Sequence, residues 1–174
     1  TRSTLATYTS IMNNLRKLFA GLPESQAHHY GIAHFSYNNK EGACPNCGGL
    51  GSIILDIQYL PDMEETCPEC HGNRYKPEIE AIKWQGYSIV DLLALSVEEA
   101  IPVFADVPAI QKELKILKEI GLAYLHLGES TPSLSGGEAQ RLKLATHLNK
   151  KRAGTLFVFD EPSVGLHPRD VETL

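Results

Sequence analysis

The sequence has no apolar run approaching the roughly 20 residues that a membrane-spanning helix requires. Residues 1–10 also lack the basic and then apolar layout of a secretory signal peptide, so nothing predicts an oxidising compartment. Positive charge is not in excess either, because 16 Lys and Arg stand against 21 Asp and Glu, a formal net charge of −5. Bulk charge therefore predicts no binding to nucleic acid, and such a role would need a local patch or a partner segment.

The composition is that of a globular protein with one domain or two small ones. The 174 residues are 43% hydrophobic and 21% charged, which excludes disorder over most of the chain. Hydrophobic spacing predicts a helix from Ile11 to Phe19 that Gly21 ends. It predicts a second helix that starts at Pro108 and that Gly121 ends.

Two apolar segments are expected to be strands. Residues 53–59 alternate in polarity, which predicts a half-buried strand. Residues 155–159 form a continuous apolar run, which is typical of a strand buried on both faces of a parallel sheet. Between these segments, Ser96 and Glu99 have the spacing of a capping box at the start of a further helix.

Four cysteines occur in two C-x2-C pairs separated by 19 residues: Cys44, Cys47, Cys67 and Cys70. Each tight turn can direct two thiolates at one ion, and two turns supply the tetrahedral sulfur shell that Zn²⁺ prefers. Glycines follow each pair, where the turn needs unusual backbone angles: Gly48, Gly49, Gly51 and Gly72. Two disulfides are the alternative, which the lack of a secretion signal disfavours. Because four thiolates fill the shell, we expect one structural zinc, without His71 as a ligand.

A second group of residues has the pattern of a phosphate site. Ser135 and Glu138 form a capping box, and Gly136 and Gly137 expose backbone N–H groups at the positive end of the helix dipole. Downstream, Asp160 and Glu161 follow the apolar run at the edge where parallel sheets bind ligands.

These motifs together resemble the UvrA family of ABC-type ATPases. LSGGEAQR is similar to the ABC signature, TLFVFDEP to the Walker B strand and SVGLH to the following D-loop. Three further segments are also similar to this family and make the resemblance more specific: FSYNNKEGACPNCGGLG and LPDMEETCPECHGNRY around the cysteines, and the opening RSTLATYTSIMNNLRKLFAGLPES. The resemblance covers nearly the whole chain.

The resemblance implies a role for each residue of these motifs. Ser135, Gly136 and Gly137 would meet the γ-phosphate of an ATP held by the opposite nucleotide-binding domain, and Glu138 and Gln140 of the same motif would also belong to the cofactor-binding residues. Asp160 would hold Mg²⁺ and Glu161 would be the general base. The four cysteines would ligate zinc.

The resemblance also implies an α/β fold with α+β insertions. A partial ABC core, made of the signature helix and the Walker B strand, would carry a helical signature domain and a zinc-bound β-hairpin. The expected divisions are a helical segment (1–33), a zinc module (34–83), the helical signature domain (84–133) and the signature helix with Walker B strand and D-loop (134–174).

The implied function is ATP-dependent recognition of DNA damage in bacterial nucleotide excision repair. The implied partners are lesion-bearing double-stranded DNA, a UvrB-like excision partner and a second copy of the protein. The implied location is the cytoplasm, without a membrane. The chain contains no G-x-x-x-x-G-K-[ST] sequence, so we expect a segment, from the C-terminal half of a longer protein, that hydrolyses no ATP alone.

Two alternatives stay open at this point. A UvrA-like paralog that serves antibiotic self-resistance would carry the same motifs. A DnaJ-type zinc chaperone module would match the C-x-x-C-x-G-x-G repeat at residues 44–51, although it would leave LSGGEAQR and FDEP unexplained.

Overall fold

A computed structural model describes residues 3–55 and 63–148 of the chain. In chain order its elements are α1 (Leu5–Tyr8), α2 (Ile11–Ala20), α3 (Pro23–Ala27), β1 (Ser52–Leu55), β2 (Met63–Thr66), α4 (Pro77–Glu80), α5 (Ile89–Ala94), α6 (Val97–Val103), α7 (Pro108–Glu119), a 3₁₀ turn (Thr131–Ser133) and α8 (Gly136–Leu148). Within the described residues, no helix is both long enough and apolar enough to cross a membrane.

The described chain forms two compact units, and the first contains Ser3–Met12 and residues 93–148. The segment between α7 and the 3₁₀ turn bonds to two other parts of the unit. The N–H of Leu5 donates to the carbonyl of Glu129 at 2.9 Å, and the N–H of Leu127 donates to the carbonyl of Leu95 at 2.9 Å. The start of the chain and the start of α6 are thereby joined to the same segment.

Helices α6 and α7 pack together in this unit, and both begin where the sequence predicts. The capping box of α6 is present, with the N–H of Ser96 donating to the Glu99 carboxylate at 2.8 Å. Helix α7 begins at Pro108, whose missing N–H costs nothing at a first helical position. The buried face of α7 is formed by Ile110, Leu114 and Leu117.

The second unit, Asn13–Leu92, has an aromatic core. The rings of Phe19 and Phe35 lie 5.4 Å apart, and those of Tyr37 and Tyr75 meet edge to face at 5.6 Å. The Tyr75 hydroxyl donates to the carbonyl of Phe35 at 3.2 Å, so this buried polar group is satisfied. Burial raises the pKa of Tyr75 far above its ordinary value.

A short antiparallel hairpin, β1 with β2, is the sheet of the second unit, and it pairs Ser52 with Thr66 and Leu55 with Met63. The described part of β1 is half-buried, as the alternation predicts, because Ile53 packs against the cysteines while Ile54 is 68% exposed. The mixture of helices and a small sheet fits the expected insertions. Residues 56–59 of the predicted strand and the apolar run at 155–159 lie outside the described residues.

Candidate metal centre and phosphate-binding helix

The four cysteines form one buried cluster, although the two pairs are far apart in sequence. Their sulfur atoms all lie within 4.8 Å of one another, with Cys44 and Cys67 3.9 Å apart and Cys47 and Cys70 3.6 Å apart. All four are free thiols, because a disulfide requires about 2.05 Å between sulfurs. Four sulfurs held at about 2.3 Å around one zinc would be about 3.8 Å apart, so the observed spacing fits a tetrahedral ion.

Backbone hydrogen bonds hold each cysteine turn in place. The N–H of Gly51 donates to Sγ of Cys47 at 3.2 Å. The N–H of Cys67 donates to the carbonyl of Gly51 at 2.9 Å, and the N–H of Cys44 donates to the carbonyl of Arg74 at 2.9 Å. Backbone hydrogen bonds therefore join each pair to the segment that flanks the other pair, which brings the four sulfurs together.

Glycine is required beside the first pair by both backbone angle and space. Gly49 has a φ of 84°, and a Cβ there would lie 1.8 Å from the carbonyl oxygen of Tyr37. The three other predicted glycines also have positive φ: Gly48, Gly51 and Gly72. The sequence expectation about these glycines is therefore confirmed.

The thiols of the cluster differ in acidity. The backbone N–H of Cys70 lowers the pKa of the Cys67 thiol to about 7, whereas burial raises the pKa of Cys70 and of Cys44. A metal ion that binds here displaces the protons of the buried thiols. Among the described residues, these four cysteines are the group that can hold a metal, and His71 is exposed.

Helix α8 begins at the predicted capping box. The N–H of Ser135 donates to Oε2 of Glu138 at 2.7 Å, and the N–H of Glu138 donates to Oγ of Ser135 at 3.3 Å. Ser135, Gly136 and Gln140 are exposed, and Gly137 is buried. The predicted phosphate residues of this helix are thus brought together in its first turns.

No contact and no backbone angle within the described residues requires glycine at position 136. A Cβ built on it meets nothing within 4 Å, and its φ is not positive. A side chain at this exposed position would therefore meet no atom of the described chain, and the backbone at the start of α8 is open to solvent.

A tyrosine that the sequence analysis did not single out also contacts this helix start. The hydroxyl of Tyr124 donates to Oε1 of Glu138, and this bond lowers the pKa of that carboxyl below its ordinary value, with a further contribution from the N–H of Ser135. The contact joins residues 14 positions apart, so no local pattern predicts it.

Asp160 and Glu161, the predicted magnesium ligand and general base, lie outside the described residues, together with the whole segment 149–174. Their roles stay predictions from the sequence.

Comparison with known proteins identifies relatives over the whole chain, although no family model matches it. The chain is 46% identical to UvrABC system protein A of Thermus thermophilus over 174 residues and 47% identical to that of Aquifex aeolicus, and each match covers 99% of the chain. The crystal structure of UvrA2 from Deinococcus radiodurans superposes with a TM-score of 0.91 at 47% identity, also over 99% of the chain.

The matched part is a minor fraction of these relatives. The chain spans 18% and 19% of the two UvrABC system proteins and 21% of the UvrA2 chain. The DnaJ-type interpretation of the cysteines is not favoured by these matches. Sequence and structure therefore agree in matching the chain, over 99% of its length, to one segment of these longer UvrA proteins.

Proposed function

We propose that this chain is the zinc-module and signature-helix segment of an ATP-dependent DNA-damage recognition protein in bacterial nucleotide excision repair. The observation that carries the proposal is the match to UvrABC system protein A over 99% of the chain. The cysteine cluster and the helix start of α8 supply two chemical features that such a role requires.

The cysteine cluster would hold one structural Zn²⁺. Four buried sulfurs at tetrahedral spacing leave no open position for water or substrate, which distinguishes a structural from a catalytic zinc. The ion would fix the hairpin through Ile53, which packs against the cysteines. Since β2 is exposed and carries Glu64 and Glu65 on its two faces, the negative charge of this strand disfavours contact with DNA phosphates.

The start of α8 would contact nucleotide. Ser135, Gly136 and Gly137 would meet the γ-phosphate of an ATP bound to the opposite nucleotide-binding domain, because the first turn of a helix attracts anions and Gly136 leaves room for close approach. Downstream, Asp160 would hold Mg²⁺ and Glu161 would polarise the attacking water.

The longer protein would act as a cytoplasmic dimer. It would bind lesion-bearing double-stranded DNA and pass it to a UvrB-like excision partner, with ATP binding and hydrolysis controlling the order of these steps. Its partial ABC core would be an α/β sheet that includes the strand predicted at residues 155–159.

The test compares the affinity of the full-length protein for damaged and undamaged duplex, with and without ATP, at one stated salt concentration. A preference for the lesion that responds to ATP supports the proposal. Equal weak binding to both duplexes contradicts the repair function and would favour a paralog with another role.

A Glu161→Gln variant of the same protein separates nucleotide binding from hydrolysis. It keeps the size of the side chain and removes the base, so ATP binding should persist while turnover is lost. Turnover at a near-normal rate would move the catalytic role to another residue.

A further inference from the structure

One carboxylate links the turn after α7 to the start of α8. Oε1 of Glu138 accepts the hydroxyl of Tyr124, and Oε2 accepts the N–H of Ser135 at 2.7 Å. With both oxygens bonded on opposite sides, the carboxylate has one preferred orientation. The position of the Ser135 backbone therefore depends on a side chain that is not part of the helix.

The same arrangement orients the hydroxyl of Ser135. Its oxygen accepts the N–H of Glu138 at 3.3 Å, which occupies a lone pair and leaves the hydroxyl proton available to donate to another group. Ser135 is exposed, so that proton can reach an anion at the helix start.

The turn that carries Tyr124 is fastened on both sides. Leu122 and Leu125 are buried, and the N–H of Leu122 donates to the carbonyl of Leu117 at 2.9 Å. The N–H of Val97 donates to the carbonyl of Leu125 at 2.9 Å. The backbone at Tyr124 thus has a fixed position relative to α6 and α7 of the same unit.

The ring of Tyr124 is 56% exposed, so apolar burial is a minor part of its contribution. Its hydroxyl is the atom that reaches Glu138. We propose that Tyr124 is a positioning residue, whose hydroxyl holds Glu138 and through it Ser135 in the orientation that contacts the γ-phosphate. The proposal rests on the proposed function, because it presumes that Ser135 meets that phosphate.

The experiment uses the full-length protein with Tyr124→Phe, which removes only the hydroxyl. Tyr8→Phe is the matched control, since Tyr8 is an exposed tyrosine of the same unit. Dissociation constants are measured for ADP and for an ATP analogue with a nitrogen bridge between the β- and γ-phosphates. We expect Tyr124→Phe to weaken analogue binding about three- to tenfold and to leave ADP binding within about twofold, because ADP has no γ-phosphate. Tyr8→Phe should change neither constant.

A Ser135→Ala variant distinguishes the two proposals. If it leaves analogue binding unchanged, the proposed phosphate contact is wrong, and Tyr124 has nothing to position. If Ser135→Ala weakens the analogue but Tyr124→Phe does not, the contact stands and the role of Tyr124 is refuted. If Tyr124→Phe weakens the binding of ADP and of the analogue equally, the positioning role is also refuted, because an effect that does not depend on the γ-phosphate indicates general damage to the fold.

Hydrogen exchange supplies a readout that needs no nucleotide. Tyr124→Phe should speed exchange of the Ser135 amide, which donates to Glu138, by about three- to tenfold relative to the wild type and Tyr8→Phe. Unchanged exchange would show that the carboxylate keeps its place without the tyrosine, and would overturn the proposal.

Discussion

The sulfur atoms of Cys47 and Cys70 lie 3.6 Å apart, although 23 positions separate the two residues in the sequence. This distance is too long for a disulfide and close to the edge of a ZnS4 tetrahedron. The folded backbone thus places two thiols where a shared ion would neutralise their mutual repulsion once both are ionised.

The first prediction concerns metal content. The purified protein should contain one Zn²⁺ per chain, and Cys70→Ala should lose it, because three sulfurs leave the site open to water and chelators. His71→Asn is the matched control: it changes the adjacent residue and keeps a side chain that tolerates the observed φ of 49°. Elemental analysis after dialysis against a chelator is the measurement. Zinc retained by Cys70→Ala, or lost by His71→Asn, would contradict the ligand set.

A second prediction concerns Gly49. Alanine there should destabilise the zinc module by at least about 2 kcal/mol, because the new Cβ would lie 1.8 Å from the Tyr37 carbonyl oxygen and the residue would keep a positive φ. Gly31→Ala is the control, since a Cβ there meets nothing within 4 Å, and it should change the free energy of unfolding by about 0.5 kcal/mol or less. Chemical denaturation of the metal-loaded protein measures both. Similar stability of the two variants would show that the backbone at Gly49 moves freely.

Features that depend on neighbouring residues were predictable from the sequence. Helix caps and breakers act within one helical turn, so their positions can be read from local sequence. The structure has the expected capping boxes at Ser96 and Ser135, and α7 starts at Pro108 and ends before Gly121 as expected. The cysteine cluster was predicted for a related reason, since C-x2-C spacing fixes the local turn and four thiolates have few other stable arrangements.

Contacts between distant parts of the chain were not predictable. The bond from Leu5 to Glu129 and the contact of Tyr124 with Glu138 depend on how helices pack, and no periodicity encodes them. Such contacts follow from the sum of many weak packing terms, so they need the three-dimensional structure. Tyr124 in particular has no flanking motif that marks it as a partner of α8.

A third prediction concerns pH and the start of α5. The N–H of Ser88 donates to Asp91 at 2.8 Å and holds the pKa of that carboxyl below its ordinary value of 3.8. A lowered pKa in the folded state means that the stabilisation is fully present above the unfolded pKa and is lost as pH falls through the folded one. We expect Asp91→Asn to cost about 0.5–1 kcal/mol near neutral pH and progressively less below about pH 4.

Lys83→Gln is the control for this prediction, because Lys83 lies 3.1 Å from the same carboxylate and the pair is about half exposed. Exposed ion pairs contribute little, so its effect should be smaller, and most of the pH dependence should remain. Unfolding in urea across a pH series measures both variants. If Lys83→Gln removed as much stability as Asp91→Asn, the ion pair and not the helix cap would be the main contribution.

The last prediction separates strain from steric contact at the end of α7. Gly121 has a φ of 75°, and a Cβ there would lie 3.0 Å from Nη1 of Arg141. Since that atom is the far end of a flexible side chain, the arginine can move, and the cost of Gly121→Ala should be mainly backbone strain of about 1 kcal/mol. Gly121→Asn carries a larger side chain but tolerates positive φ, so it should cost less than alanine. Denaturation midpoints of the two variants decide the point: a greater loss for asparagine would show that contact with Arg141, and not strain, sets the requirement for glycine.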